Sequence, residues 1–197
     1  MVRMSIKAFV FALALLSLPV LAQDSAATVG SPGCGNSAVK FSVKTDNGQN
    51  PAQPEIGKAL VYFIEDDSNY SSVPKPTTRV GLDGKWEGAT HGNSYLYFYV
   101  DPGVHHLCAS WQPGGSGILA GVLVGAATGQ ISLGQGGKIG ASSFTAEAGG
   151  VYYFEVKNIF FQTETSTVSD MSLTALNSDE GQLLASRFAL SISKQKK

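Results

Sequence analysis

Few side chains in this sequence have both the chemistry and the company that a reaction needs. Histidine occurs 3 times, at His91, His105 and His106. His105 and His106 are adjacent in a stretch that reads as a strand, so they point to opposite faces and cannot readily chelate one ion together. His91 could meet His105 across a sheet, but no carboxylate or cysteine completes a ligand set at a familiar spacing, and no metal is expected. Glu65-Asp66-Asp67 beside Asn69 offers oxygens. Calcium takes about six to eight of them, and no glycine-punctuated loop follows, so an exposed turn after a strand is expected. Serine is abundant without a Gly-x-Ser-x-Gly elbow or a positioned base. The run Gly134-Gln135-Gly136-Gly137-Lys138 lacks the spacing and the following helix of a phosphate loop. Neither a catalytic residue nor a cofactor is expected.

Two patterns point to contact instead of catalysis. Tyr95, Tyr97 and Tyr99 share one side of a strand, with Leu96, Phe98 and Val100 on the other. Left open, such a row could hold a glycan or a peptide. Cross-strand packing beneath another element is the preferred reading, because tyrosine favours strands in any case. The second pattern is Gly117, Gly121, Gly125 and Gly129, recurring at every fourth position in a stretch from Pro113 to Gly137 that carries no charge. A helix there would have a small-residue groove suited to lipid or to a second helix. Twelve helical residues reach only about 18 Å, and each interior glycine costs about 1 kcal/mol, so a glycine-rich loop or ribbon is preferred.

The start of the chain reads as an address. Arg3 and Lys7 precede an apolar run from Ala8 to Leu21, which closes on Val20-Leu21-Ala22. That is the pattern of a secretory signal over residues 1–22, and the run is short of the ~20 residues that span a membrane. Export to an oxidising compartment, periplasmic, envelope-associated or extracellular, makes the 2 cysteines a disulfide, Cys34 to Cys108. The chain of 197 residues has 14 basic and 15 acidic side chains. Loss of Arg3 and Lys7 leaves 12 against 15, near −3, with no basic stripe for nucleic acid.

Short apolar runs punctuated by turn residues would hold these groups in place. An N-terminal arm over 23–57 carries one strand, at Val39 to Lys44. Lys58 to Glu65 is apolar on both faces and reads as a central strand. Asp83-Gly84 predicts a tight hairpin, Asp101-Pro102-Gly103 a second and Ala148-Gly149-Gly150 a third. Met171, Leu173 and Ala175 alternate in a further strand. Ser178, ahead of Asp179 and Glu180, caps a short helix over 178–189. Strands without alternating helices predict an all-β, antiparallel sandwich over 58–193, with 113–137 as a glycine-rich insertion. Strands apolar on both faces predict that the arm or the helix covers part of an outer face.

Four stretches together resemble the domain of unknown function 2846 family of exported bacterial proteins. They are Gly57 to Phe63, Val80 to Trp86, Tyr97 to Cys108 and Thr145 to Phe154. The resemblance spans about 57–156 and implies an immunoglobulin-like sandwich in the envelope, without implying a reaction. Val100 to His106 also resembles surface-associated modules named after a Pro-Glu-Gly-Ala motif. The expectation is therefore a non-enzymatic binding or structural module whose partner is an unknown protein or envelope component. The alternative is membrane association or self-assembly through 117–129.

Overall fold

The computed structural model describes residues 34–48, 52–71, 74–112 and 139–197. The expected signal over 1–22 and the segment with Gly117, Gly121, Gly125 and Gly129 lie outside them. The strands are β1 Phe41–Asp46, β2 Ala59–Asp66, β3 Thr77–Leu82, β4 Lys85–His91, β5 Ser94–Val100, β6 Gly103–Trp111, β7 Ile139–Ala146, β8 Val151–Gln162, β9 Thr167–Leu176 and β10 Ala189–Gln195, with one helix, α1, at Ser178–Arg187. They form a six-stranded sheet in the order β1-β10-β5-β2-β8-β9 and a four-stranded sheet in the order β4-β3-β6-β7. The all-β sandwich with a short helix is what the turn-punctuated pattern predicted.

Strand β2 shows why the sandwich has three layers in its middle. Its odd residues Ala59, Val61 and Phe63 meet Val80, Leu107 and Phe154 between the sheets. Its even residues Leu60, Tyr62 and Ile64 pack on the other face, against Tyr95, Tyr153 and Ala185 of α1. Both faces of the strand are dry, which the unbroken apolar run required. The cover on the outer face comes from both of the expected sources, with Ala52 from the arm and Leu184 and Phe188 from the helix region. Gly181 lets the helix approach this closely, since a Cβ there would lie 2.1 Å from Tyr153 Cγ.

The Asp83-Gly84 hairpin is present, with φ of 49° and 82° at its two residues, the left-handed pair that a two-residue turn needs. The other two expected hairpins are not hairpins. Strand β5 pairs with β2 and β10, whereas β6 pairs with β3 and β7. Likewise β7 lies in one sheet and β8 in the other. A turn signal specifies a reversal of direction and leaves open whether the returning strand lies beside its predecessor or across the core. Here the returning strands cross, so that Val100 and Leu107 both enter the one interior.

Three further differences are local. The six-stranded sheet is mixed, because β2 and β8 run parallel, as do β10 and β5. The helix is capped by Asn177, whose side chain accepts from the Glu180 N–H, with Ser178 already helical. The helix ends at Arg187, and β10 begins at Ala189, inside the range expected to be helical. Strand β1 lies two residues later than expected, at Phe41–Asp46, and pairs along its length with β10.

Candidate functional site

The tyrosine row is a packed surface. Tyr95 is 2% exposed, and Tyr97 and Tyr99 are half-buried. The Tyr62 ring is the hub, with centroids 5.8 Å from Tyr95, 5.8 Å from Tyr97 and 4.9 Å from Tyr153. Two hydroxyls reach back to the arm: Tyr62 donates to the Ala52 carbonyl at 3.0 Å and Tyr99 to the Gln53 carbonyl at 3.2 Å. Burial and the neighbouring tyrosines push the Tyr62 hydroxyl well above its usual range. The row is covered, and of its three tyrosines only Tyr97 also lines a cleft. That cleft, of about 290 Å³, opens between β4, β5 and β10 beside Glu87, Phe98 and Ile192. It forms because β10 keeps register with β5 only at Ala189 and Leu190 and then leaves it.

Glu65 and Asp67 do not form the exposed turn expected of them. Glu65 is 0% exposed and Asp67 2%. Glu65 has the parity of Ala59, Val61 and Phe63, so β2 carries it into the space between the sheets. There its Oε1 accepts from the Thr78 hydroxyl at 2.6 Å and from Asn158 Nδ2 at 2.7 Å. The same amide donates to Asp67 Oδ1 at 2.7 Å, and Asn158 Oδ1 accepts from the Trp111 indole at 2.8 Å. One asparagine therefore holds two carboxylates and a tryptophan. Asp67 Oδ2 is buried without a partner. The Lys75 ammonium is turned to the carbonyls of Asp67 and Tyr70. Burial, and then the repulsion from Asp67, raise the Glu65 carboxyl well above its usual range against the bonds from Thr78, Thr90 and Asn158. Burial raises Asp67 also, against Asn158, Lys75 and His91.

The histidines behave differently from one another. His91 is exposed, with Nδ1 3.0 Å from the Pro76 carbonyl. His105 sits at the opposite end of the sandwich from Glu65, with Nδ1 2.7 Å from Asp83 Oδ2 and Nε2 2.7 Å from the Asp101 carbonyl. The backbone N–H of His106 donates to the other oxygen of Asp83 at 2.8 Å. Partial burial of Asp83 works against its charge, yet the His105 ring and the His106 N–H hold it below its usual range. No cluster of three or more histidine, cysteine or acidic side chains placed to hold a metal occurs among the described residues.

Cys34 and Cys108 are joined, with their Cα atoms 5.7 Å apart. Gly81 makes room for the bridge, since a Cβ there would come within 2.7 Å of Cys108 Sγ. The arm beyond Cys34 is fixed over the four-stranded sheet by Arg79, whose Nη1 donates to the carbonyls of Ser37 and Val39 at 3.1 and 2.9 Å. Trp86 adds a bond from its indole to the Asn36 carbonyl at 2.9 Å and stacks under the Arg79 guanidinium at 4.2 Å.

Sequence reasoning found the bridge and the Asp83-Gly84 hairpin, but it placed the acid pair in an exposed turn. Parity along β2 was the available signal for Glu65; nothing local announces Asn158, which arrives from a strand 93 residues away. Comparison with known protein families, with curated proteins and with solved structures finds no match to this chain.

Proposed function

We propose that this chain is an exported, non-enzymatic module of the bacterial cell envelope that binds or braces another envelope component, a protein or a surface polymer other than nucleic acid. The observation that carries the reading is the Cys34–Cys108 bridge, which ties the arm to the four-stranded sheet across 74 positions. Such a bond persists outside the reducing cytosol. The basic, apolar and small-residue order of residues 1–22 supports the same address. So does the resemblance to the domain of unknown function 2846 family.

The polar groups with the chemistry for a reaction have structural work. Both ring nitrogens of His105 face acceptors, and Glu65 is enclosed by Thr78 and Asn158. The surface offered to a partner is the cleft beside Tyr97, Phe98 and Ile192, whose 53% exposed side chain is one of the open apolar groups.

The second reading is membrane association or self-assembly through Gly117, Gly121, Gly125 and Gly129. It rests on the uncharged, glycine-spaced sequence from Pro113 to Gly137, which lies between Ser110 and Ile139, paired on adjacent strands. Cell fractionation combined with thiol alkylation tests the first reading. Recovery in the envelope fraction, with an N-terminus at Gln23 and neither cysteine alkylated, is expected. Cytosolic recovery with two alkylated cysteines would overturn it. Deleting residues 114–136 separates the readings: loss of envelope association or of oligomers supports the second, and unchanged behaviour removes it.

A further inference from the structure

Two of the stretches quoted for the family resemblance meet in space, and their meeting point is His105. Its side chain is only 13% exposed, and each ring nitrogen lies 2.7 Å from an oxygen that can only accept. The Asp101 carbonyl requires a proton on Nε2. An ionised Asp83 requires one on Nδ1. A neutral imidazole carries one proton and must leave one of these oxygens facing a lone pair, so the geometry fits the doubly protonated ring.

We propose that Asp83, Asp101 and His105 form a proton-operated clamp that ties the β3–β4 turn to the β5–β6 crossing, closed while the ring carries both protons and released when one leaves to solvent. The clamp joins the two layers. Asp83 sits in the hairpin of the four-stranded sheet, and Asp101 follows β5, the strand that leaves the six-stranded one. The groups facing the ring are consistent with a retained charge. Asp83 comes from the hairpin and Asp101 from the crossing. Lys58, ahead of β2, is engaged with Asp101 Oδ1 at 2.6 Å. His106 Nδ1 lies 3.9 Å from Asp83 Oδ1, and β7 presents the uncharged Phe144 ring at 5.7 Å. Partial burial disfavours the imidazolium, but the bonds to Asp83 and Asp101 outweigh it and raise His105 above the usual histidine range.

Release has a local reporter. The His106 N–H is bonded to the same carboxylate, so it should exchange with solvent about tenfold faster once the clamp opens. Nitrogen NMR of the imidazole rings in the folded protein, followed from acid to alkaline pH, tests the proposal. His105 is expected to show two protonated nitrogens at neutral pH and to lose one above the usual histidine range, with the protection of the His106 N–H, measured against the base-catalysed rate of an open amide, falling over the same range. In Asp83→Asn, where asparagine tolerates the φ of 49°, the His105 midpoint is expected to fall. A single-proton tautomer at neutral pH, or a midpoint that Asp83→Asn leaves in place, would overturn the proposal. The first measurement decides on its own if the variant does not fold.

Discussion

The two ends of the sandwich use the same kinds of side chain and treat them in opposite ways. At one end Glu65 and Asp67 lie in the dry interior, held by an amide and a hydroxyl that carry no charge. At the other end Asp83 and Asp101 stand at the surface beside His105 and Lys58. Strand β2 leads from Lys58 to Glu65 and β3 from Thr78 to Asp83, so the two clusters are separated by a strand's length, about 20 Å. Burial outweighs the uncharged donors, and for Asp67 the more distant Lys75 and His91, and pushes the first pair up, whereas cationic partners in direct contact hold the second pair down. The direction in which a carboxylate shifts is thus set by what stands opposite it, and the strand merely chooses the neighbours.

Breaking the comparison at its strongest point means removing Asn158. Asn158→Ala takes one donor from Glu65, one from Asp67 and the acceptor of Trp111, and leaves buried polar groups without partners. A loss of about 3 kcal/mol in urea unfolding is expected. A smaller effect, opposite in sense, is expected for Glu65→Gln. The glutamine oxygen can still accept from Thr78 and Asn158, and the ionisable group is gone. At pH 8 the variant should be as stable as the unaltered protein or more so by about 1 kcal/mol.

The pH dependence sharpens the same contrast. Because Glu65 and Asp67 are raised in the folded state, their contribution is complete below the ordinary carboxylate range and is lost as pH climbs through the raised values. Asp83 is lowered, so its contribution is present above the ordinary range and is lost on acidification. Thermal unfolding from pH 3 to 8 should therefore show a smaller alkaline decline in Glu65→Gln, with Asp67 left to supply part of it, and a smaller acid decline in Asp83→Asn. The smallest effect belongs to Lys58, whose pair with Asp101 is open to water; Lys58→Ala should leave the unfolding midpoint unchanged within error.

Much of the architecture was legible because burial and turn chemistry are local. The run from Lys58 to Glu65 announced a strand dry on both faces, and Asp83-Gly84 announced its hairpin. The strands flanking Asp101-Pro102-Gly103 were readable, while their division between two sheets was not, since side-by-side and face-to-face returns use the same turn residues. Strand β10 was hidden by the polarity of Ser191, Ser193 and Lys194, which suits a strand whose outer partner is the half-exposed β1. The site was less legible than the fold. Tyr95, Tyr97 and Tyr99 were seen as a row, but the cover from Ala52 and Gln53 depends on how the arm returns. His105 was weighed as a metal ligand and set aside in favour of hydrogen bonding on the strand surface, but its partners come from two turns that sequence alone does not bring together.

Strand β1 has β10 as its strand neighbour, and the register runs from Phe41 with Gln195 to Asp46 with Leu190. The opening piece of the domain must therefore wait for the closing one. A ribosome or a translocation pore releasing the chain from its amino end presents β1 long before anything exists for it to pair with. Until β10 emerges, Ser42 and Lys40 have no Lys194 or Lys196 to bond, and the flank of β5 stays bare. Assembly is deferred until β10 has emerged, and during that interval the protein depends on being kept from pairing with strands of other molecules.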